Sequence, residues 1–529
     1  MPVAVIDPGP RVTLRNSFSA PYDDAMAAAR TCTSHRVIGA EEITDRQRRS
    51  IGSLTFAAGH HTVYQHATFE FGIEGVSRQL VWSFLHSFPF YNSEQQSQRY
   101  VRQDDIAAHV PEMEPAARQI YEPAIVAAWE AYERLSALLA GPCYETLCRV
   151  WRLSPDPSKS PLRKQALRRE AGKRAIETAR YVLPVACHTA LVYTISGLTL
   201  HRLRRMVSCS DVPAETRRLV QMMVQAVDAV DPKFFGLVGA PPLGEDDLPE
   251  AGAMAAALVN ASSGGGAPDP RPRRAFRHEF DASLGDRISR LVSYQTDAEE
   301  IVAGAVRHVL GLPRAALDDG SALEAVLDPA RDRLRLETLD VGVHSPLLRT
   351  LQHASYTFRK RLSHSADSQD QRHRMVPASR PALRLTGDDE PDFITPHLIA
   401  AVPAARALYV EYMERSWEAQ ARLRRLGTPE EHVLYLLPNA AAVRFEESGS
   451  LLHLLHKWTM RTCLNAQWEI CEASMQEIEQ VRAVHPPLVR HVGPPCVLRR
   501  DLVRPFCTEG KRYCGVPVWK IWPDVARQI

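Results

Sequence analysis

The residues of this chain with the most capacity for polar chemistry gather in a few short runs. Ser365–Pro377 reads SADSQDQRHRMVP, so Arg372, His373 and Arg374 follow a stretch of small polar and amide residues. On an extended segment side chains alternate, which sends Arg372 and Arg374 to one face and His373 to the other. Two guanidinium forks on one face can neutralise a diphosphate or hold an electron-rich ring. Earlier in the chain NSEQQSQRYV groups Gln96, Ser97, Gln98 and Arg99. A hydroxyl, amides and a guanidinium this close together can surround a phosphate or a pyrimidine edge. LHKWTMRTCLNAQWEICEA carries Trp458, Arg461, Asn465 and Trp468 at helical spacing, and the helix from Leu451 to Met475 is a candidate interface element. For each run a plainer reading stands beside the ligand reading: surface salt bridges for the arginines, core packing for the tryptophans. The basic run Arg163–Arg174 reads as a solvated helix face.

Composition restricts what such residues can serve. The chain has 529 residues, 45% of them hydrophobic, enough for two or more domains with buried cores. Its 64 Lys+Arg against 62 Asp+Glu leave no global positive field for duplex nucleic acid, so an anion must be met locally. Ten cysteines show no CxxC pair and no metal-ligand spacing; they are expected to be reduced, and no metal is expected. The opening lacks a signal-peptide pattern and no long apolar run occurs, so a cytoplasmic protein without a membrane partner is expected.

The elements that must position these residues come in two sets. Residues 236–276 are rich in Gly, Pro, Ala and Ser and read as a linker between domains at 1–235 and 277–529. Three segments before it have counterparts after it, in the same order. Arg11–Arg30 resembles Arg287–Arg307, a strand and then an Ala-rich helix. YQHATFEF, Tyr64–Phe71, resembles LQHASYTF, Leu351–Phe358, without a gap, and both read as strands with one buried face. VLPVACHTA, Val182–Ala190, resembles LLPNAAAVR, Leu436–Arg444. Three pairs in register indicate a duplicated domain, with extra residues in the first copy around Gly141–Gly172.

GHHTVYQH, SEQQSQRY, RHR, the LP-to-arginine segment and AQWEI together resemble the flavin-dependent thymidylate synthases, duplicated in tandem. The resemblance covers most of both halves and fails in the linker and after about Pro486. It implies an α+β fold: two thymidylate-synthase-complementing-type domains, each a sheet packed with long helices, forming a pseudo-dimer. The implied activity transfers the methylene of methylenetetrahydrofolate to deoxyuridine monophosphate (dUMP), with reduction from NADPH through FAD. Carried over by position, Arg372, His373, Arg374, His60, Thr62 and Arg461 would contact the flavin. Gln96, Ser97, Gln98 and Arg99 would bind the nucleotide, and Arg444 would reach it from a neighbouring subunit in a catalytic role. Because the family works as a homotetramer, two duplicated chains are expected to form a homodimer that acts as a pseudo-tetramer.

Departures from the family pattern fall in both copies. Leu85–Phe88 reads LHSF where the first copy should carry its triplet, and the second follows RHR with MVPASRP, losing S-x-R. Ala190 stands where the second copy has Arg444, and Cys471 follows AQWEI where the family often has an arginine. The losses are complementary, so one composite site is expected. A non-catalytic flavin- or nucleotide-binding relative, and a methylase for another pyrimidine nucleotide, remain alternatives.

Overall fold

The computed structural model describes residues 5–87, 90–153, 161–244, 246–249, 271–525 and 527. Its first half runs β1 (Arg11–Ser17), α1 (Pro21–Thr31), α2 (Asp45–Ala57), β2 (Thr68–Ser77), α3 (Arg78–Ser87), β3 (Tyr91–Gln95), α4 (Pro115–Val150), α5 (Pro161–Ala179), β4 (His188–Ser196), α6 (Gly197–Arg205) and α7 (Pro213–Asp228). The principal elements of the second half are α8 (Arg271–Leu284), β5 (Ser289–Tyr294), α9 (Ala298–Leu310), β6 (Ser355–Ser363), α10 (His364–Asp370), β7 (Ala378–Ser379), α11 (Pro403–Arg425), β8 (Ala442–Ser450), α12 (Leu451–Arg461) and α13 (Trp468–Val484). Of the stretch read as a linker, residues 245 and 250–270 lie outside the described residues, and α8 begins inside its last part.

Each half builds an antiparallel four-stranded sheet of the same order, β1-β2-β4-β3 and β5-β6-β8-β7. Alternation in SYTFRKRLS turns Tyr356, Phe358, Lys360 and Leu362 inward, three core residues and one buried charge. The sheets differ by one residue. β2 carries a bulge between Ile73 and Val76, where Gly75 adopts φ +67° and a Cβ would come within 2.4 Å of the Gly9 carbonyl oxygen. Only glycine tolerates both the φ and the approach. Past the bulge Ser77 pairs with His188 as Ser363 pairs with Ala442, which sets the two halves in correspondence.

The halves hold each other through reciprocal contacts. Val185 and Ala186 donate backbone N–H groups to Leu437 and Tyr435, at 2.8 and 3.0 Å; Asn439 and Ala440 donate to Leu183 and Tyr181, at 2.8 and 2.9 Å. On α7 the Glu215 carboxylate accepts from Ser77 N at 2.8 Å, Ser77 Oγ at 2.6 Å and, across the halves, Tyr435 Oη at 2.7 Å. On α13 Glu469 accepts from Ser363 N at 2.7 Å, Ser363 Oγ at 2.6 Å and the Tyr181 hydroxyl. The buried α4 residues Ile125 and Trp129 share one core with Tyr409 and Met413 of α11.

Two sequence expectations change here. The stretch Leu451–Met475 is two helices, α12 and α13, because residues 462–467 turn between them. Trp458 is buried against Glu477 of its own half, so the first of these helices is core. The triplet Arg372–Arg374 sits in a turn after α10 and not on a strand, with His373 N donating to Asp370 O at 3.1 Å.

Near the N-terminus the Asp7 carboxylate accepts from Gly9 N and Val110 N and lies 3.5 Å from His109 Nδ1 and 3.3 Å from His188 Nε2. Burial opposes its charge, yet the two imidazoles and two backbone donors hold Asp7 far below the usual carboxylate range. Burial also opposes a charge on His109, and Asp7 beside it raises that group overall.

Two outcomes follow from these contacts. Tyr435→Phe removes a hydrogen bond to a buried carboxylate and is expected to cost about 1.5–3 kcal/mol in urea unfolding; an unchanged midpoint would contradict the cross-brace. Asp7 contributes stability above its unfolded value of 3.8 and loses it as pH falls through its lowered value. His109 contributes below 6.5 and loses it as pH rises through its raised value. Asp7→Asn should therefore lower the urea midpoint most between about pH 4 and 6.5, and less at about pH 9. A pH-independent difference would contradict the assignment.

Candidate functional site

The triplet is placed by the junction of β6 and α10. Ser363 caps α10, its hydroxyl accepting from Ala366 N at 3.0 Å. Asp370, at the end of this helix, receives Lys457 Nζ at 2.7 Å, while Lys360 bonds Glu447 and, at 2.6 Å, Glu477. This buried network fixes the floor beneath His373. The triplet then crosses to the first half. Arg374 donates to the Tyr91 carbonyl and, at 3.1 Å, to Asn92 Oδ1, with its guanidinium 4.5 Å from the Tyr91 ring centroid. Arg372 lies 3.5 Å from the exposed Glu94 carboxylate. Tyr91 Oη donates to Gln371 Oε1 at 2.6 Å.

β3 leads into the loop that holds Ser97 and Arg99. Arg99 N donates to Ser97 Oγ at 3.2 Å, Arg99 Nε to Glu177 at 2.6 Å and Arg99 NH2 to the Asn465 carbonyl at 2.6 Å. Gln98 is structural: buried, it donates to Cys187 Sγ at 3.4 Å and accepts from Asn439 at 3.2 Å. Gln96 acts through its backbone, N–H to Ala190 O at 2.9 Å and carbonyl from Arg78 at 2.9 Å. Arg174 NH2 donates to Asn465 Oδ1 at 3.0 Å, and Arg180 NH2 to Gln467 Oε1 at 3.2 Å. Loop and helices from both halves thus converge on one arginine-rich centre.

The electrostatics of that centre are unbalanced. Glu177 is held low despite burial by Arg99, Arg174 and Arg180. Burial brings Arg461 down to about 10; Asp370 opposes the shift, and Arg99 and Arg372 add repulsion. Arg78 falls to about 10, chiefly by burial, with Arg180 adding repulsion. Arg180 is lowered by burial against the pull of Glu177. Buried Nε atoms of Arg78, Arg180 and Arg461, and Arg174 NH1, have no hydrogen-bond partner among the described residues. Cations with buried spare donors and too little counter-charge can hold an anion. His373, also with an unpartnered Nε2, is kept neutral by burial and by Arg461 and Lys457 beside it.

Of the residues singled out in the sequence, Ser97, Arg99, Arg372, His373, Arg374 and Arg461 come together. Arg444 does not join them within the chain. It is buried and bidentate on Asp281 of α8, with Asp392 at 2.5 Å, and Arg361 lies in the same network. His60 and Thr62 lie exposed on a 3₁₀ turn tied to α2 by His60 N to Thr55 O, without a hydrogen bond or ion pair to the triplet among the described residues. Arg78, Arg174 and Arg180 are additions. Arg174 ends the basic run read as a solvated face, and its side chain is only 13% exposed, because this face of α5, which also carries Glu177, meets Asn465 of the second half. Arg180 stands four residues before the Pro of VLPVACHTA, a position that the paired segments could have flagged.

Further groups border the centre. A cavity of about 420 Å³ is lined by His456, Met460 and Leu452 of α12 together with Asp340 and Arg499. The His456 ring lies 5.8 Å from the ring of His373. Cavity, triplet and spare donors fit a large anionic cofactor such as a flavin nucleotide. The C-terminal segment also reaches in: Asn465 Nδ2 donates to Glu509 at 3.1 Å and to the Arg512 carbonyl at 2.7 Å. Cys471 is buried, which pushes its thiol up, while the adjacent Arg527 opposes that shift. Asp7, His109 and His188 bring possible metal-ligand atoms within 4.8 Å of one another. Both oxygens of Asp7 already accept backbone N–H groups, so this group is a carboxylate clamp.

Comparison with known proteins agrees with this architecture. The family described as thymidylate synthase complementing protein matches residues 13–233 and 290–487. The flavin-dependent thymidylate synthase of Clostridium tetani is 29% identical over 239 residues, 44% of this chain and 87% of that protein. That of Geobacter sulfurreducens is 32% identical over 169 residues, 31% of this chain and 70% of that protein. Among solved structures, a UMP/dUMP methylase, PolB, from Streptomyces cacaoi, bound with 5-Br dUMP, is 18% identical with a TM-score of 0.31, covering 44% of this chain and 96% of that one. With two matched segments that include both sheets, the chain belongs to the thymidylate synthase complementing protein family.

Proposed function

We propose that this chain is a flavin-dependent thymidylate synthase whose nucleotide site is assembled within one chain from both halves. The reading is carried by the buried Nε atoms of Arg78, Arg180 and Arg461, which have no hydrogen-bond partner among the described residues, near Arg99 and Ser97. A nucleotide monophosphate supplies the missing negative charge, and its pyrimidine offers carbonyl acceptors to the remaining guanidinium donors. In this reading Arg99 and Arg180 of the first half and Arg461 of the second bind dUMP, and Ser97 donates its hydroxyl. Arg372, Arg374 and the neutral His373 orient the flavin. Bound there, FAD supplies the hydride, with NADPH as reductant and methylenetetrahydrofolate as one-carbon donor. The protein's part is to hold the pyrimidine against the cofactor, exclude water and stabilise developing negative charge on the ring oxygens through Arg461 and Arg180.

Arg444, expected from the resemblance to be catalytic, is assigned instead to fastening α8 onto the second sheet. The reciprocal contacts support reading the chain as a pseudo-dimer with domains at 1–235 and 277–529, and on that reading two chains form a homodimer equivalent to four domains. The buried thiol of Cys471 favours the second reading, a binder without turnover.

Calorimetric titration with dUMP separates these readings. Arg99→Ala, Arg180→Ala and Arg461→Ala each remove a charge-assisted contact of about 1.5–3 kcal/mol and should weaken binding by at least tenfold. Arg444→Ala should lower the unfolding midpoint and leave dUMP affinity within about twofold. Equal loss in Arg444→Ala would restore its place at the nucleotide. Tight dUMP binding without release of tritium from the pyrimidine C5 position would leave the non-catalytic reading.

A further inference from the structure

The correspondence of the halves identifies a second cleft. With Ser77 matched to Ser363, and the helix caps Ser196 and Ser450 matched to each other, Ser83 answers to Gln369 and His86 to Arg372. On the following helices Leu203 answers to Lys457, Met206 to Met460 and Asp211 to Asn465. All five first-half positions line one cavity of about 780 Å³, whose other wall is the segment after β7, Ala378–Arg384. That segment stands where the loop after β3 stands in the arginine centre. This cavity is the twofold counterpart of the proposed nucleotide site, relined.

Its chemistry differs from that of the first site at two decisive positions, while Arg384 stands at the counterpart of Arg99. Val207 stands at the counterpart of Arg461, and Leu434 at that of Arg180. Arg380 is neutralised by a bidentate contact with Asp367, at 2.7 and 2.9 Å, and Trp82 Nε1 donates to the same carboxylate at 2.9 Å. A phosphate dianion therefore has no cradle here. The walls are apolar, with Trp82, Phe84, Leu203, Met206, Leu248 and Pro381. Positive charge remains at Arg384, which lines the cavity and whose Nε is buried without a hydrogen-bond partner among the described residues. Asp211, on the same cavity wall, accepts from Gln79 Nε2 at 3.4 Å and Arg384 N at 3.3 Å, and burial pushes it up to about 6 against the pull of Arg384.

We propose that this cavity is a second small-molecule site, specific for a planar aromatic monoanion, a ring system bearing one carboxylate or sulfonate, and not for the nucleotide. The volume accommodates a ligand of drug-like size. Apolar walls take the rings, and Arg384 takes the single charge. The inference rests on the correspondence of the halves and the lining of the cavity. It stands apart from the assignment of dUMP to the other centre.

The test uses the full-length chain and 8-anilinonaphthalene-1-sulfonate as probe. Fluorescence titration should give saturable binding of about one probe per chain. Arg384→Gln should weaken it about tenfold, and Leu203→Asp, which puts a carboxylate on the apolar wall, should abolish it. Arg99→Ala and Arg461→Ala should leave it unchanged, and dUMP should not displace the probe. Absence of saturable binding would overturn the proposal, as would indifference to Arg384→Gln. Displacement by dUMP together with loss in Arg99→Ala would place the probe in the first site and also overturn it. Should Leu203→Asp not fold, Arg384→Gln with the dUMP competition decides.

Discussion

The architecture depends on two buried carboxylates, Glu215 and Glu469, each shared between the halves. Each caps the end of a central strand in its own half through a serine N–H and hydroxyl, and each receives a tyrosine hydroxyl from the other half. A buried carboxylate is costly unless its lone pairs are filled, so neither half satisfies its own acid alone. That requirement fixes the relative placement of the sheets. It brings the loop after β3 of the first half against the triplet of the second.

From that placement the two clefts diverge. On one side Arg99, Arg174 and Arg180 of the first half crowd around Glu177 and Arg461 of the second half stands near them, and burial leaves Arg78, Arg180 and Arg461 below their ordinary basicity. An anion bound there would recover the stability this costs. On the other side the positions corresponding to Arg180, Arg461 and Arg78 are Leu434, Val207 and His364, and Arg380 has its own carboxylate. The two halves carry complementary polar residues, so neither half of the sequence holds the whole set on its own.

What the sequence made legible was local. The ungapped pairs Tyr64–Phe71 with Leu351–Phe358, and Val182–Ala190 with Leu436–Arg444, fall on β2, β6 and the starts of β4 and β8, because strand alternation and turn chemistry are written in neighbouring residues. The Arg372–Arg374 and Ser97–Arg99 runs were visible for the same reason. What was not legible depended on distant partners. Arg444 looked available until α8 supplied Asp281, and Arg174 looked solvated until Asn465 met it from 291 positions away. The break at residues 462–467 follows from the same cause: Asn465 must present its carbonyl to Arg99 and its amide to the C-terminal segment, which a continuous helix would forbid.

The central claim is that the two halves of one chain supply a single nucleotide site. It is tested most directly by subunit mixing. Arg99→Ala chains and Arg461→Ala chains are co-refolded, mixed assembly is verified by mass, and thymidylate formation from dUMP is measured. If Arg99 and Arg461 act in one chain, every site in the mixture carries a lesion and activity stays at the level of the separate variants. Recovery of activity on mixing would show that the two arginines meet between chains, and would contradict the account.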